Sequence, residues 1–138
     1  MKEWVLFSVL SLLAWGLWAF LPKMALSCLD PKTAFMFEVI GGAITGLAVF
    51  FILRPSLAGA EIRGVIPALL TGMMGYFGLL CFMYAIRTAK ISIVAPLTAL
   101  YPVISLALAV IFLREKINVI QFAGIILAMV SVVLISYE

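Results

Sequence analysis

The chain has 138 residues, of which 67% are hydrophobic and 11% charged, and its mean hydropathy of +1.32 exceeds what a soluble globular domain of this size shows. That excludes a soluble enzyme or cytosolic binding module and reads as an integral membrane protein. Nine Lys and Arg against six Asp and Glu leave a net charge of +3, but these charges fall between the apolar runs, so they describe loops and not a nucleic-acid-binding surface.

A helix needs about 20 mainly apolar residues to cross a hydrocarbon core of about 30 Å, and the charges divide the chain into five such lengths, with no soluble domain between them. The first runs from about Trp4 to Ser27. It starts beside Lys2, yet no A-x-A site follows and Ala25-Leu26-Ser27-Cys28 is a poor lipobox, so it reads as a retained helix and not as a cleaved signal. Pro22 should kink its last turn, with Lys23 snorkelling toward the headgroups. Ser8, Ser11, Trp15, Trp18 and Pro22 recur along it at helical spacing.

The second helix is predicted over residues 31–53, started by Asp30-Pro31 as an acidic N-cap followed by proline at the first helical position. It carries the clearly intramembrane charge, Glu38, on a face with Ala34, Gly41, Gly42 and Thr45. A carboxyl at that depth must be protonated, paired or open to water, so Glu38 is a candidate proton carrier or cation-binding group. A hydrogen bond to a neighbouring helix is the structural alternative.

The third helix is expected over residues 64–86, after the longest polar loop, with Gly72, Tyr76, Leu80 and Tyr84 aligned on one side. The fourth is expected over residues 91–113 and contains Pro96 and Pro102. Each proline removes a backbone donor and frees a carbonyl one turn earlier, and in lipid such a carbonyl needs water, a ligand or a neighbouring helix. Ala95, Thr98, Tyr101, Pro102 and Ser105 share one side of this span. Interrupted helices of this kind line substrate sites in transporters and allow gating, although a kink filled by neighbours is the plain alternative. The fifth helix, residues 117–137, presents Gln121, Gly124, Ala128 and Ser131, a stripe best read as close packing.

Lys and Arg in the loops normally set orientation. With five helices, Lys2, Arg54, Arg63, Arg114 and Lys116 fall on one side and Lys23, Lys32, Arg87 and Lys90 on the other. Such balance fits loops too short to inform, or a chain that inserts both ways and pairs with an inverted copy of itself. Histidine is absent and Cys28 and Cys81 stand singly, so no metal-ligand spacing, disulfide or cofactor is implied.

The stretch SIVAPLTALYPVISLALAVIFLREKINVIQFAGIILAMVSVVLIS, with GYFGLLCFMYAIRTAKI before it, resembles the repeat of the EamA family within the drug/metabolite transporter superfamily. The shared features are a glycine-containing third helix, a V-A-P-L segment, a Tyr-Pro pair, a leucine-rich run ending in an acid-containing loop, and a Gln-x-x-Gly helix. The resemblance implies an all-α, five-helix unit of which most members contain two, fused in inverted orientation around a central cavity. A chain with one unit is then the half-length type, expected to form an antiparallel homodimer. By the same resemblance Val94, Ala95, Pro96, Thr98, Tyr101 and Pro102 line the cavity, and the acid of Arg114-Glu115-Lys116 fixes the start of the last helix. Many members carry a basic residue in the second helix, so Glu38 departs from the common pattern.

The expected function is transport of a small polar or amphipathic solute across an inner membrane by alternating access. Glu38, Trp15, Trp18, Tyr76, Thr98 and Tyr101 are the expected substrate-binding residues, with Pro96 and Pro102 as the helix breaks that permit gating. Proton coupling is an expectation resting on Glu38. The rival is a non-transporting membrane subunit whose small-residue stripes dock a partner. An intramembrane enzyme has little support, since the spans hold no histidine, no paired carboxylates and no nucleophile with an obvious base.

Overall fold

The computed structural model describes residues 3–136; Lys2, counted above among the loop charges, and Tyr137, the expected end of the last helix, lie outside the described residues. Those residues are helical throughout their regular structure, with no strand among them. Residues up to Arg87 form one compact unit and those from Thr88 onward a second.

In the first unit, α1 (Glu3–Ala25) and α2 (Pro31–Leu53) have 23 residues each, about 35 Å of helix at 1.5 Å per residue. Asp30 starts α2 as the sequence implies. Its Oδ1 accepts from the backbone N–H of Lys32 at 3.0 Å and of Thr33 at 3.3 Å, and the Thr33 hydroxyl donates to Oδ2 at 2.5 Å. That hydroxyl, followed by the Thr33 N–H, holds the Asp30 carboxyl below its ordinary value. Arg54 ends α2 in the left-handed region, φ 45°, with its N–H on the Phe50 carbonyl at 2.9 Å. The third helix, α3 (Ile62–Thr88), extends beyond its apolar run to take in Arg63 and Arg87, the latter favourably placed at a helix C-terminus.

The buried residues of this unit gather at one end. Pro22 of α1, Pro31 and Ala34 of α2, and Leu79, Phe82, Met83 and Ile86 of α3 are its buried residues, and Ala34, Leu79 and Met83 form a core against which Ala25, Leu26 and Phe35 pack. Lys23 works here. Its ammonium donates to the carbonyl of Ile86 at 2.5 Å, one of the last four carbonyls of α3, which have no partner within their own helix. The buried face of α3 is thus Leu79, Phe82, Met83 and Ile86, spaced as one helical stripe, and not the predicted line through Gly72, Tyr76, Leu80 and Tyr84. Tyr84 is 44% exposed.

In the second unit the span expected as one helix over residues 91–113 is broken into α4 (Ile91–Thr98), α5 (Tyr101–Leu108) and a π-helical turn, Ala109–Leu113. The break falls at Ala99-Leu100 because Pro102, near the start of α5, has no N–H to offer the Thr98 carbonyl. Arg114, at φ 54°, ends the π turn with its N–H on the Ala109 carbonyl. The last helix, α6 (Val119–Ser136), begins two residues later than expected. A capping box sets that start: the Asn118 N–H donates to Gln121 Oε1 at 2.9 Å, and the Gln121 N–H to Asn118 Oδ1 at 2.7 Å. Gln121 is therefore spent on a helix end and not on a packing stripe, and the role expected of Glu115 belongs to the Asn118–Gln121 pair. Within this unit α4 packs against α6.

Four spans, α1, α2, α3 and Ile91–Leu113, are long and apolar enough to cross a bilayer, and Val119–Ile135 is a shorter apolar helix. Large apolar side chains such as Leu12, Ile52 and Ile120 stand 69%, 77% and 84% exposed. Surface of that kind belongs against lipid, and the chain is a multi-pass membrane protein.

Candidate functional site

Glu38 lies two turns into α2, half-buried. Seven residues of rise from Pro31 put it about 11 Å along the helix, too deep to count as an end residue. The indole N–H of Trp18, on α1, donates to Glu38 Oε1. Behind Trp18 lies Phe82 of α3, stacked with ring centroids 6.0 Å apart and planes at 18°. Phe82 is itself buried, so it fixes the indole plane and, through it, the direction of the N–H.

These residues border a cleft of about 250 Å³ whose lining includes Trp18, Pro22, Ala34, Phe37, Glu38 and Met83. Apart from the carboxyl and the indole N–H, its side chains are apolar, and none is basic. Tyr76 of α3 reaches α2 one turn beyond Glu38, where a Cβ on Gly42 would collide with its hydroxyl. Its ring meets Phe35 edge-to-face, centroids 6.1 Å apart.

Of the expected site residues in this unit, Glu38 and Trp18 are brought into direct contact, and Tyr76 rests on the same helix as Glu38. Trp15, one turn before Trp18, does not line the cleft and stands 60% exposed. Sequence reasoning missed Phe82. The signal was present in the spacing of Leu79, Phe82, Met83 and Ile86, an i, i+3, i+4, i+7 pattern that marks the inner face of α3.

The second unit has a cleft of its own, about 420 Å³, bordered by Leu97, Thr98, Leu100, Tyr101, Ile104 and Met129 among others. Thr98 and Tyr101 therefore face one space, while Pro96 and Pro102 shape the backbone without lining it. The Thr98 hydroxyl points back along its own helix, 3.0 Å from the carbonyls of both Val94 and Ala95. Its single proton is committed there, so toward a ligand it can only accept.

The EamA-like transporter family matches residues 2–137. The chain belongs to that family. An uncharacterized protein of Methanocaldococcus jannaschii is 35% identical over 69 residues, a stretch covering 50% of this chain and 50% of that protein, so the match spans about half of the relative's length. No solved structure matches the chain. EamA-like proteins are membrane transporters, the class implied by the resemblance of the stretch from Gly75 to Ser136 to the EamA repeat.

Proposed function

We propose that this EamA-like chain moves a small polar or amphipathic solute across an inner membrane by alternating access, working as an antiparallel homodimer. The observation that carries the reading is the Glu38 carboxyl, held by Trp18 at the edge of an apolar cleft at membrane depth. A carboxyl there costs several kcal/mol unless it is protonated, paired or wet; the Trp18 indole meets one oxygen, as a structural role would also require, and it is the cleft beside the pair that favours a functional one. Family membership supports transport, and the near balance of Lys and Arg between the two sides of the membrane supports dual insertion. On this reading Glu38 carries the coupling proton or meets the solute. Trp18 orients it, and the interrupted backbone between α4 and α5 supplies the movable element.

The purified chain in proteoliposomes on a solid-supported membrane should give currents on solute jumps, and Glu38→Gln should lose them or lose their dependence on pH. If Glu38→Gln transports with its pH dependence intact, proton coupling through Glu38 is wrong. If a folded wild-type chain gives no current for any of a broad panel of amines, amino acids and carboxylates, the transport reading fails and the docking-subunit role takes its place. Dual insertion is read by single-cysteine labelling after replacement of Cys28 and Cys81, both exposed. Each loop should label from both sides of the membrane, and one-sided labelling would remove the antiparallel homodimer.

A further inference from the structure

We infer that the cleft of the first unit is a binding site for an amphipathic organic monocation, a small aromatic or aliphatic ammonium, with Glu38 as its counter-charge. This deepens the transporter reading and rests on it for its physiological meaning, but it is a statement about binding and is tested as one.

The cleft holds one acidic group and no basic one. Glu38 is its ionisable side chain, and the other lining groups are apolar apart from the indole N–H of Trp18. The lysine nearest along α1, Lys23, directs its ammonium to the Ile86 carbonyl at the core end of the unit. A carboxylate ringed by apolar side chains lacks a counter-charge, and a ligand that brings one is favoured over a neutral solute. An anion is disfavoured outright, since like charges at close range in a low-dielectric setting repel strongly.

The indole N–H occupies Oε1. A carboxylate has room for about four hydrogen-bond donors over its two oxygens, so Oε2 stays available to a ligand cation, through a hydrogen bond from a protonated amine or by charge alone from a quaternary ammonium. Trp18 also offers ring surface. One side stacks on Phe82, yet the residue remains 43% exposed and borders the cleft, and Phe37 beside it is 62% exposed. An ammonium over an indole face gains cation–π attraction, and the apolar body of the ligand would lie on Phe37, Leu21 and Met83. A space of about 250 Å³ suits a ligand with one ring or a short alkyl group and not a multi-ring compound. Charge, ring surface and size therefore select the same class.

The probe is benzyltrimethylammonium, whose charge is fixed at every pH, titrated against the full chain in detergent by saturation-transfer NMR. Benzenesulfonate, of similar size and opposite charge, is the control. Wild type should bind the cation with saturation, and Glu38→Gln should weaken it at least tenfold, with Glu38→Asp recovering part of the loss. Trp18→Phe keeps a ring but loses the N–H, and should weaken binding less than Glu38→Gln. Equal binding of cation and sulfonate, or equal binding by wild type and a monodisperse Glu38→Gln, overturns the assignment. The two readings separate cleanly. Saturable cation binding without any solute current sinks transport and keeps the site, whereas solute currents with no Glu38-dependent cation binding keep transport and sink the site.

Discussion

Alanine at Gly42 probes the contact between α2 and Tyr76 of α3. At Gly41 and Gly46, the other glycines of α2, a new Cβ meets nothing within 4 Å, so alanine there should gain the helix-propensity difference of about 1 kcal/mol. At Gly42 the same methyl runs into the Tyr76 hydroxyl. Two responses are open to the tyrosine. It can stay and bear the overpacking, which costs about 1–3 kcal/mol, or swing away and lose its edge-to-face contact with Phe35, worth about 0.5–1.5 kcal/mol. These are alternatives and not a sum, and the cheaper one wins, so Gly42→Ala should fall about 1 kcal/mol below Gly41→Ala. Tyr76→Phe supplies the control. With the hydroxyl gone, the nearest ring atom is Cζ at 3.4 Å, an ordinary contact, so in that background the two alanine variants should be equally stable. Stabilities are read from SDS unfolding of the detergent-solubilised protein by far-UV circular dichroism, as a double-mutant cycle. If Gly42→Ala matches Gly41→Ala with Tyr76 intact, the tyrosine does not seat on α2 and the description of this part of the site is wrong.

Two further outcomes follow from the same end of the first unit. Lys23→Met keeps the chain length but removes the donor to the Ile86 carbonyl, and should destabilise the unit by about 1 kcal/mol, the value of a cation at a partly buried helix C-terminus; unchanged SDS unfolding would return Lys23 to a headgroup role. For Asp30, the folded carboxyl titrates below the ordinary 3.8, so the cap is fully formed above that value and its stabilisation is lost as pH falls through the lowered one. Amide chemical shifts of Lys32 and Thr33 should report that transition below 3.8, and a midpoint at or above it would mean the Thr33 hydroxyl does not hold the carboxylate.

How much of this was legible beforehand depends on the range over which each interaction acts. Membrane residence and all-helical structure follow from composition and run length, which are local. Asp30-Pro31 is equally local, since a cap is made by residues within one turn of each other. The rule that a proline starves the carbonyl four residues earlier foretold trouble in the fourth span, but not that Pro102 would split it at Ala99-Leu100 while Pro96 stays inside α4. The Asn118–Gln121 capping box is local too, but Gln121 also falls in register with Gly124, Ala128 and Ser131, so spacing alone does not separate a cap from a packing stripe. Lys23 is a different case. A lysine near a helix end has two good outlets, headgroups and an unpaired carbonyl, and only the tertiary arrangement decides between them. For the site, chemistry identified Glu38 and Trp18 separately. The hydrogen bond that joins them, and Phe82 behind the indole, depend on the rotation of α1 and α3, which apolar helices with polar groups on several faces do not specify.

That arrangement bears on how the cleft would open and close. In the first unit every buried residue among those described lies at the end where α1 finishes, α2 starts and α3 finishes, and Lys23 ties two of those helices together there. Beyond Glu38, toward Leu53 on α2 and toward Ile62 on α3, no described residue of these helices is buried. The unit is thus closed on one side of Glu38 and loosely packed on the other. The alternating access proposed above would need the reverse arrangement as well, and the sequence holds material for it: Gly41, Gly42, Thr45 and Gly46 give α2 a narrow face on the open side, the kind of surface along which helices approach closely in lipid. Tyr76 already rests on Gly42. Closing there while the Lys23–Ile86 contact releases would pass Glu38 from one side to the other with little movement of the carboxyl itself, so the residues that govern access differ from those that hold the charge. Variants at Gly41 and Gly46 bulkier than alanine should then impair solute currents while leaving cation binding at Glu38 intact; loss of both together would mean that these glycines serve the site directly and not its closure.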